Sequence, residues 1–506
     1  MRYLLFALFG IFSLLGYSQS SKPNIVIILA DDLGIGDVSA LNPDSKISTP
    51  NIDKLYQEGM NFTDAHTPSS VCTPTRYGIM TGRYAWRTPL KKGVLNGYSN
   101  ALIADSIDTS PKVLQRSGYS TALIGKWHLG WNWAMKDNID DSNSDIENKV
   151  DFTKAFSGGP VDHGFDYFYG ISASLDFPPY VFCENNKTCC AVNATFKPEH
   201  KDADKLVAKQ KMQRKGAQSE GFKAQNALLN ITQHSINYIK NQDQKKPFFL
   251  LVSFTSPHTP VLPRDTFLGT SKAGIYGDFI QEMDWSVGQI MKALKQMGFD
   301  KNTLVIFTAD NGASRISFPI EFEEKYGHKP SRELHGRKGT MHEGGHHIPF
   351  VAVWNGQIKP NSKCNTPIVL TDFYATFADM NHQKLKENQG VDSYSFLSLL
   401  QGKKGEYMRK VSIYTSYGGY FSIRKDKWKM DMHPKLKKRK LYDIIADRGE
   451  KHNLYLDDKY NSIRKDLLND LTQTILNGSS KTVQHPALDS SNVWPQVFWM
   501  NDEFIK

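Results

Sequence analysis

The residues best suited to chemistry in this 506-residue chain stand in short clusters. Cys72-Thr73-Pro74-Thr75-Arg76 sets a thiol close to a guanidinium, and Tyr77-Gly78-Ile79-Met80-Thr81-Gly82-Arg83 follows directly. Asp31-Asp32 and Asp310-Asn311 each end an apolar run with adjacent oxygen donors. Two carboxylates ending a buried strand are costly unless positive charge sits against them, and a hard divalent cation with oxygen ligands is the natural neutraliser. Lys126 and His128 are two residues apart, a spacing that can aim both to one side of an extended chain. His258 lies in Ser256-Pro257-His258-Thr259-Pro260, and Lys338 in Gly336-Arg337-Lys338-Gly339. An imidazole moves protons near neutral pH, and cations pooled around one anionic group stabilise charge that develops on it. Each cluster alone has an ordinary reading: a buried thiol or disulfide half, capping aspartates, surface decoration, a structural histidine.

Three runs position these groups. Pro23–Ala30, Pro247–Phe254 and Thr303–Thr308 are continuously apolar and rich in β-formers. Continuous rather than alternating apolarity fits strands buried on both faces of a parallel sheet, whose carboxyl ends carry sites. A short helix is expected over Asn51–Gly59, and a longer one over Gly277–Met297 with Phe279, Ile280, Met283, Val287, Ile290, Met291 and Leu294 on one face. Polar stretches near 135–152 and 196–224 read as surface insertions. Beyond residue 395 short strands are expected at Tyr420–Arg424, Lys427–Met430 and Lys440–Ile444, then a helix at Ile463–Leu476. The basic run Lys435–Lys440 between them reads as a solvated hairpin turn. The expected division is a signal peptide over 1–18, a catalytic domain over 19–395, and a smaller α+β domain on an antiparallel sheet over 396–506.

Met1 to Ser18 has Arg2, an apolar core and small residues at the end, the pattern of an export signal. No other run is long and uncharged enough to span a bilayer. A soluble, exported protein is therefore expected, periplasmic or secreted. Five cysteines exclude a disulfide scaffold, but Cys183, Cys189, Cys190 and Cys364 remain besides Cys72 and allow two bridges. A local staple from Cys183 to Cys189 or Cys190 is one expectation. The net charge of +10 suits an anionic substrate.

C-x-P-x-R followed by T-G-R resembles the signature of the type I sulfatases. The resemblance extends, in family order, over nearly the whole mature chain: Asn24–Gly34, Gly125-Lys126-Trp127-His128-Leu129-Gly130, Ser256–Pro260, Asp310-Asn311-Gly312 and Gly336–Gly345. It implies an alkaline-phosphatase-like fold, with a large, mostly parallel central sheet flanked by helices. It also implies enzymatic oxidation of Cys72 to formylglycine (3-oxoalanine) by a sulfatase-maturing enzyme. The aldehyde hydrate carries two hydroxyls on one carbon: one attacks sulfur, and deprotonation of the other expels sulfate. The resemblance further implies that Asp31, Asp32, Asp310 and Asn311 hold Ca2+ together with modified residue 72. Arg76 and His128 would then serve the hydrate, Lys126 and Lys338 the sulfate, and His258 the sulfate and the leaving alcohol.

Ser172–Tyr180 resembles a loop of carbohydrate sulfatases, in which Asp176 would bind a sugar hydroxyl. Many relatives continue Glu-Gly-Gly-x-Arg-x-Pro where this chain has His346-His347-Ile348-Pro349, so His346 and His347 become candidate substrate contacts. Trp127, Trp131, Trp133 and Tyr180 are large aromatics that stack on sugars or fill core. The expected activity is desulfation of a sulfated polysaccharide or its oligosaccharides in the manner of bacterial polysaccharide-degrading enzymes. Algal polymers such as ulvan, carrageenan, porphyran or fucan come first, and glycosaminoglycans with sulfated galactosamine second. No nucleic-acid partner is expected. A phosphodiesterase or phosphonate hydrolase of the same superfamily, and a non-catalytic glycan-binding protein, are the rivals.

Overall fold

The computed structural model describes residues 22–137, 145–197, 213–403, 405–478 and 495–500; the expected signal peptide lies outside them. A ten-stranded sheet forms the centre, in the order Ser362–Cys364, Met60–Phe62, Phe350–Trp354, Thr303–Ala309, Asn24–Asp31, Phe248–Pro257, Ser120–Lys126, Tyr167–Ile171, Cys183–Glu184, Lys187–Thr188. The five strands from Thr303–Ala309 to Tyr167–Ile171 run parallel, and antiparallel pairs border them on both sides. The three apolar runs are thus neighbours at the centre, with Asn24–Asp31 wholly buried between the other two. Their continuous apolarity follows from helices covering both faces.

Helix Gly274–Gln296 buries the expected face, with Met291 only partly covered, and packs on helix Ala227–Lys240 and strand Phe248–Pro257. Each such aliphatic or aromatic side chain contributes about 1.5–3 kcal/mol on burial. Helix Pro50–Glu58 starts on its proline and stops at Gly59. A Cβ at Gly59 would stand 2.3 Å from the Ala352 carbonyl oxygen, so only glycine lets the chain turn there. Trp127, Trp131, Trp133 and Tyr180 are all buried as core, with Trp131 stacked 4.0 Å from Phe156.

A four-stranded antiparallel sheet follows in the C-terminal part: Val411–Thr415, Phe421–Lys425, Trp428–Asp431 and Lys440–Asp443. Helix Asn461–Asn477 backs it. The shared core includes Ile413, Phe421, Ile423, Leu441, Leu467 and Leu471, completed by Tyr84 and Trp86 from the first part of the chain. The basic run forms an exposed turn between the last two strands, as expected, whereas the edge strand Val411–Thr415 was not foreseen. Backbone bonds tie that edge strand to the segment just ahead of Cys72. The Thr415 carbonyl accepts from the Ser70 amide at 2.8 Å, Gly339 donates to the Ser70 carbonyl at 2.8 Å, and Tyr417 donates to the Gly339 carbonyl at 3.0 Å.

The cysteine expectation is corrected: all five thiols are free. Cys183 is buried opposite Thr188 across a tight hairpin, while Cys189 and Cys190 beyond it are exposed and Cys364 lies on the far edge of the sheet. Among the described residues no helix is long and apolar enough to cross a membrane.

Candidate active site

Three strand ends and one helix start meet at Cys72. Helix Cys72–Thr81 begins with the cysteine itself, whose side chain is 1% exposed. Its sulfur lies 3.5 Å from Asp31 Oδ1, 4.0 Å from Asp32 Oδ1 and 3.4 Å from Lys338 Nζ. Lys126 Nζ donates to Asp31 Oδ2 at 2.7 Å, and Lys338 Nζ pairs with Asp32 Oδ1 at 2.6 Å. Arg76, one helical turn after Cys72, donates from Nε to Asp310 Oδ2 at 2.9 Å and from Nη1 to Ser253 Oγ at 2.6 Å. Asn311 Nδ2 donates to Asp32 Oδ1 at 2.7 Å. All the expected signature residues, drawn from sequence positions 31 to 338, therefore share one buried cluster.

The backbone is shaped for this. Asp32 and His128 have φ of 70° and 58°, a left-handed conformation that costs a non-glycine residue about 1 kcal/mol or more and that Asp and His tolerate better than most. Gly125 pairs in register with Gly170 on the next strand, and a Cβ on Gly170 would fall 1.7 Å from the Gly125 carbonyl oxygen. That close approach fixes where Lys126 leaves the sheet.

Burial and the Asp310 charge push the Cys72 thiol up, so the unmodified thiol stays protonated and is a poor nucleophile. Burial also opposes ionisation of Asp31, but Lys126, His258, Arg76 and Lys338 hold it well below the usual carboxylate range. Burial and the neighbouring Asp31 charge push Asp310 up. Burial, then Lys126 and Arg76, hold His128 well below 6.5, so its ring is neutral. His128 Nε2 faces the Leu95 carbonyl at 2.8 Å and donates to it, which leaves buried Nδ1 as an acceptor with no partner among the described residues. His258 Nδ1 donates to its neighbour's Thr259 carbonyl at 2.6 Å, turning Nε2 toward Asp32 Oδ2 at 3.7 Å.

A divalent cation fits the donors. Asp31, Asp32, Asp310 and Asn311 are all buried and all offer oxygen, and Asp32 Oδ2 and Asn311 Oδ1 have no hydrogen-bond partner among the described residues. Asp31, Asp32, Cys72 and His258 also stand close enough together to hold one ion.

Residues 23–381 match the family described as Sulfatase. The chain belongs to the sulfatase family. It is a sulfuric ester hydrolase, and the family implies a formylglycine and a divalent metal at the cluster just described. Residues 335–477 of this sulfatase match a second family, N-sulphoglucosamine sulphohydrolase, C-terminal. An N-acetylgalactosamine-6-O-sulfatase of Bacteroides thetaiotaomicron is 31% identical over 86% of this chain and 90% of its own. The N-acetylgalactosamine-6-sulfatase of Mus musculus is 30% identical, covering 79% and 70%. A solved structure from work on glycosaminoglycan metabolism by Bacteroides thetaiotaomicron superposes with a TM-score of 0.77 at 28% identity, over 89% of this chain and 99% of that one. A protein solved with a neocarrahexaose bound shares the fold, with a TM-score of 0.70 at 22% identity, over 96% of this sulfatase and 99% of that chain.

Of the expected substrate contacts, Asp176 stands beside the cluster, whereas His346 is wholly buried and His347 lines a separate cavity with Thr63, Asp64, Glu343 and Arg424. Asp176 accepts from Ser174 Oγ at 2.6 Å and from Arg214 Nη1 at 2.8 Å. Burial pushes its carboxyl up, but His258, Ser174 and Arg214 hold it below its usual range. His346 is 0% exposed and stacks 3.9 Å from Tyr414; His347 is buried with Nε2 3.0 Å from the Thr63 carbonyl. They belong to a second buried cluster. His66 Nδ1 lies 3.0 Å from His346 Nδ1, Arg424 grips Asp64 at 2.6 and 2.7 Å, and Lys429 pairs with Glu450 at 2.7 Å and Glu343 at 3.2 Å. The missing arginine of relatives is thus replaced by packing between the two sheets, because His346 and His347 pack where Glu343–His346 turns back into the core. Two residues at the site were not foreseen. Ser253 could have been noticed as the first hydroxyl in the apolar strand Phe248–Pro257. Arg214 had no sequence signal.

Proposed function

We propose that this sulfatase, itself exported, removes sulfate esters from a sulfated carbohydrate, and that N-acetylgalactosamine 6-sulfate in glycosaminoglycan oligosaccharides is its first candidate substrate. Convergence of Lys126, Lys338, Arg76, His128 and His258 on Cys72 carries the catalytic part of this reading. The relatives that act on N-acetylgalactosamine 6-sulfate support the substrate part, at 31% and 30% identity. They move the weight away from the algal polymers placed first on sequence alone, since the carrageenan-bound neighbour shares the fold at only 22% identity.

Formylglycine at residue 72 supplies two hydroxyls on one carbon, one to attack sulfur and one to release a proton as sulfate departs. Asp31, Asp32, Asp310 and Asn311 would hold a divalent cation, calcium by family pattern, which supplies positive charge beside the attacked sulfate. The protein's own groups do the rest. Three carboxylates and three cations balance at the cluster, so added metal charge leaves the site positive and matched to an anionic ester. Lys126 and Lys338 hold sulfate oxygens. Neutral His128 accepts a proton at Nδ1 from a hydroxyl of residue 72. His258 presents Nε2 to the leaving oxygen and serves as its proton donor. Arg76 fixes Asp310 and steadies charge near residue 72. Asp176 accepts a sugar hydroxyl. The division into 19–395 and 396–506 and export through residues 1–18 complete the proposal.

The test is sulfate release by the full chain co-expressed with a formylglycine-generating enzyme, on chondroitin 6-sulfate and carrageenan oligosaccharides side by side. Release from the former alone supports the reading. Release only from carrageenan restores the first expectation, and release from neither despite a converted residue 72 overturns both.

A further inference from the structure

Arg214 is placed with unusual care for a half-exposed arginine. Its backbone amide donates to the Tyr180 hydroxyl at 2.9 Å, and that hydroxyl donates back to the Arg214 carbonyl at 2.6 Å. Nη1 donates to both the carbonyl and the carboxylate of Asp176, at 2.8 Å each. The guanidinium carbon stands 3.9 Å over the Phe177 ring, whose other neighbour is the His128 ring at 6.3 Å. Stacking and a fixed ion pair hold the guanidinium plane still, so little rotamer entropy remains to be lost when it binds something. Nε and Nη2 have no partner among the described residues, and the side chain is 49% exposed. Asp176 and Phe177 order this unspent donor edge and link it to the active cluster, since the Asp176 carboxylate feels His258 and the Phe177 ring neighbours the His128 ring.

We propose that Arg214 is a specificity residue that pairs with a second anionic group of the substrate, a further sulfate or a uronate carboxylate next to the ester under attack. The inference rests on the carbohydrate-sulfatase reading above. A planar fork with two free N–H edges matches either oxyanion bidentately, and a chain of net charge +10 draws such substrates in. Asp176 cannot serve a second anion by itself. Arg214 cancels its charge and adds the donors, so the pair reads hydroxyl and anion together.

The experiment compares kcat/KM of the matured full chain on three substrates. One is N-acetylgalactosamine 6-sulfate, one its 4,6-disulfate, and one the 6-sulfated disaccharide bearing a uronate. Arg214→Met is expected to lower the ratio of doubly to singly anionic substrate about tenfold, as loss of one half-exposed charge-assisted contact should. Arg214→Lys should restore part of it. A fall confined to the disulfate identifies sulfate, and one confined to the disaccharide identifies the carboxylate. If all three substrates fall in proportion, or no ratio moves, Arg214 only props Asp176 and the proposal is overturned. If wild type cleaves none of the three, the galactosamine reading fails, and binding decides this proposal separately. The Cys72→Ser chain is then titrated with κ- and ι-carrageenan oligosaccharides, which differ by one sulfate per repeat. Preference for the more sulfated ligand that Arg214→Met abolishes supports it, and equal binding by both proteins sinks it.

Discussion

Lys338 and Glu343 stand five residues apart on one segment, yet each enters a different buried cluster of charge. Lys338 joins Asp31, Asp32, Asp310, Arg76 and Lys126 around a single thiol. Glu343 joins Lys429, Glu450, Asp64, Arg424 and three histidines between the two sheets. Both are largely buried and both mix charges, so burial of charge does not by itself mark a site. What differs is where the leftover valence points. In the first, Asp32 Oδ2 and Asn311 Oδ1 lack hydrogen-bond partners beside one modifiable residue. In the second, the unbonded Glu343 Oε1 already lies 3.2 Å from Lys429 Nζ, and Asp431 Oδ2 lies 3.9 Å from His342 Nδ1. One cluster gathers its open oxygens around a single modifiable residue, and the other sets its open oxygens against Lys429 and His342 where the two sheets meet.

The strongest break in this comparison is Cys72→Ala. Sulfate release should fall at least about 10⁴-fold, the scale of nucleophile removal elsewhere, with the melting temperature shifted only about 3 °C or less. Retained turnover would mean that catalysis does not pass through residue 72. Lys429→Met should do the reverse. It leaves Glu343, Glu450 and Asp431 buried without their shared cation, a loss of about 3–5 kcal/mol by urea unfolding. Asp310→Asn should cut metal per chain, read by elemental analysis, and lower activity about 100-fold or more by removing both a ligand and the Arg76 partner. Chelation should reproduce that loss in wild type and leave the second cluster untouched.

Acid separates the second cluster more gently. Burial, then Lys429, hold His346 well below 6.5; burial opposes ionisation of Glu343, but Lys429, His66 and His346 hold it well below 4.5. Both groups bind protons less readily folded than unfolded, so stability is complete above their unfolded values and falls as pH drops. The decline should begin near pH 6.5 through His346 and steepen below about 4.5 through Glu343. Denaturant midpoints across pH check this, and His346→Gln should flatten the upper part. The smallest effect belongs to the exposed Arg116–Asp108 pair at 2.6 Å, where Arg116→Ala should cost under about 1 kcal/mol.

Much of the first cluster could be read from sequence because its residues sit at the ends of apolar strands, and strands announce themselves by composition. Asp31, Asp310 and His258 needed only that rule and the parallel order of the sheet. The placement of His346 and His347 away from Cys72 was not legible, because the partners that bury them, His66, Tyr414 and Thr63, are remote in sequence. Arg214 was silent for the same reason: it meets Asp176 across 38 residues, through a polar stretch without periodicity. The edge strand Val411–Thr415 went unseen because its partner face is supplied by Tyr84 and Trp86, far upstream.

The backbone bonds from Thr415 and Tyr417 to Ser70 and Gly339 also set an order of events during biogenesis. In the finished molecule the residue 72 side chain is 1% exposed, beneath Lys338 and behind a clamp contributed by the C-terminal sheet. Another protein's active site cannot reach it there. The clamp is made from the last fifth of the chain, so it is synthesised after the signature it closes over. Oxidation of Cys72 by another protein's active site therefore has a deadline, which is the arrival of Val411–Thr415.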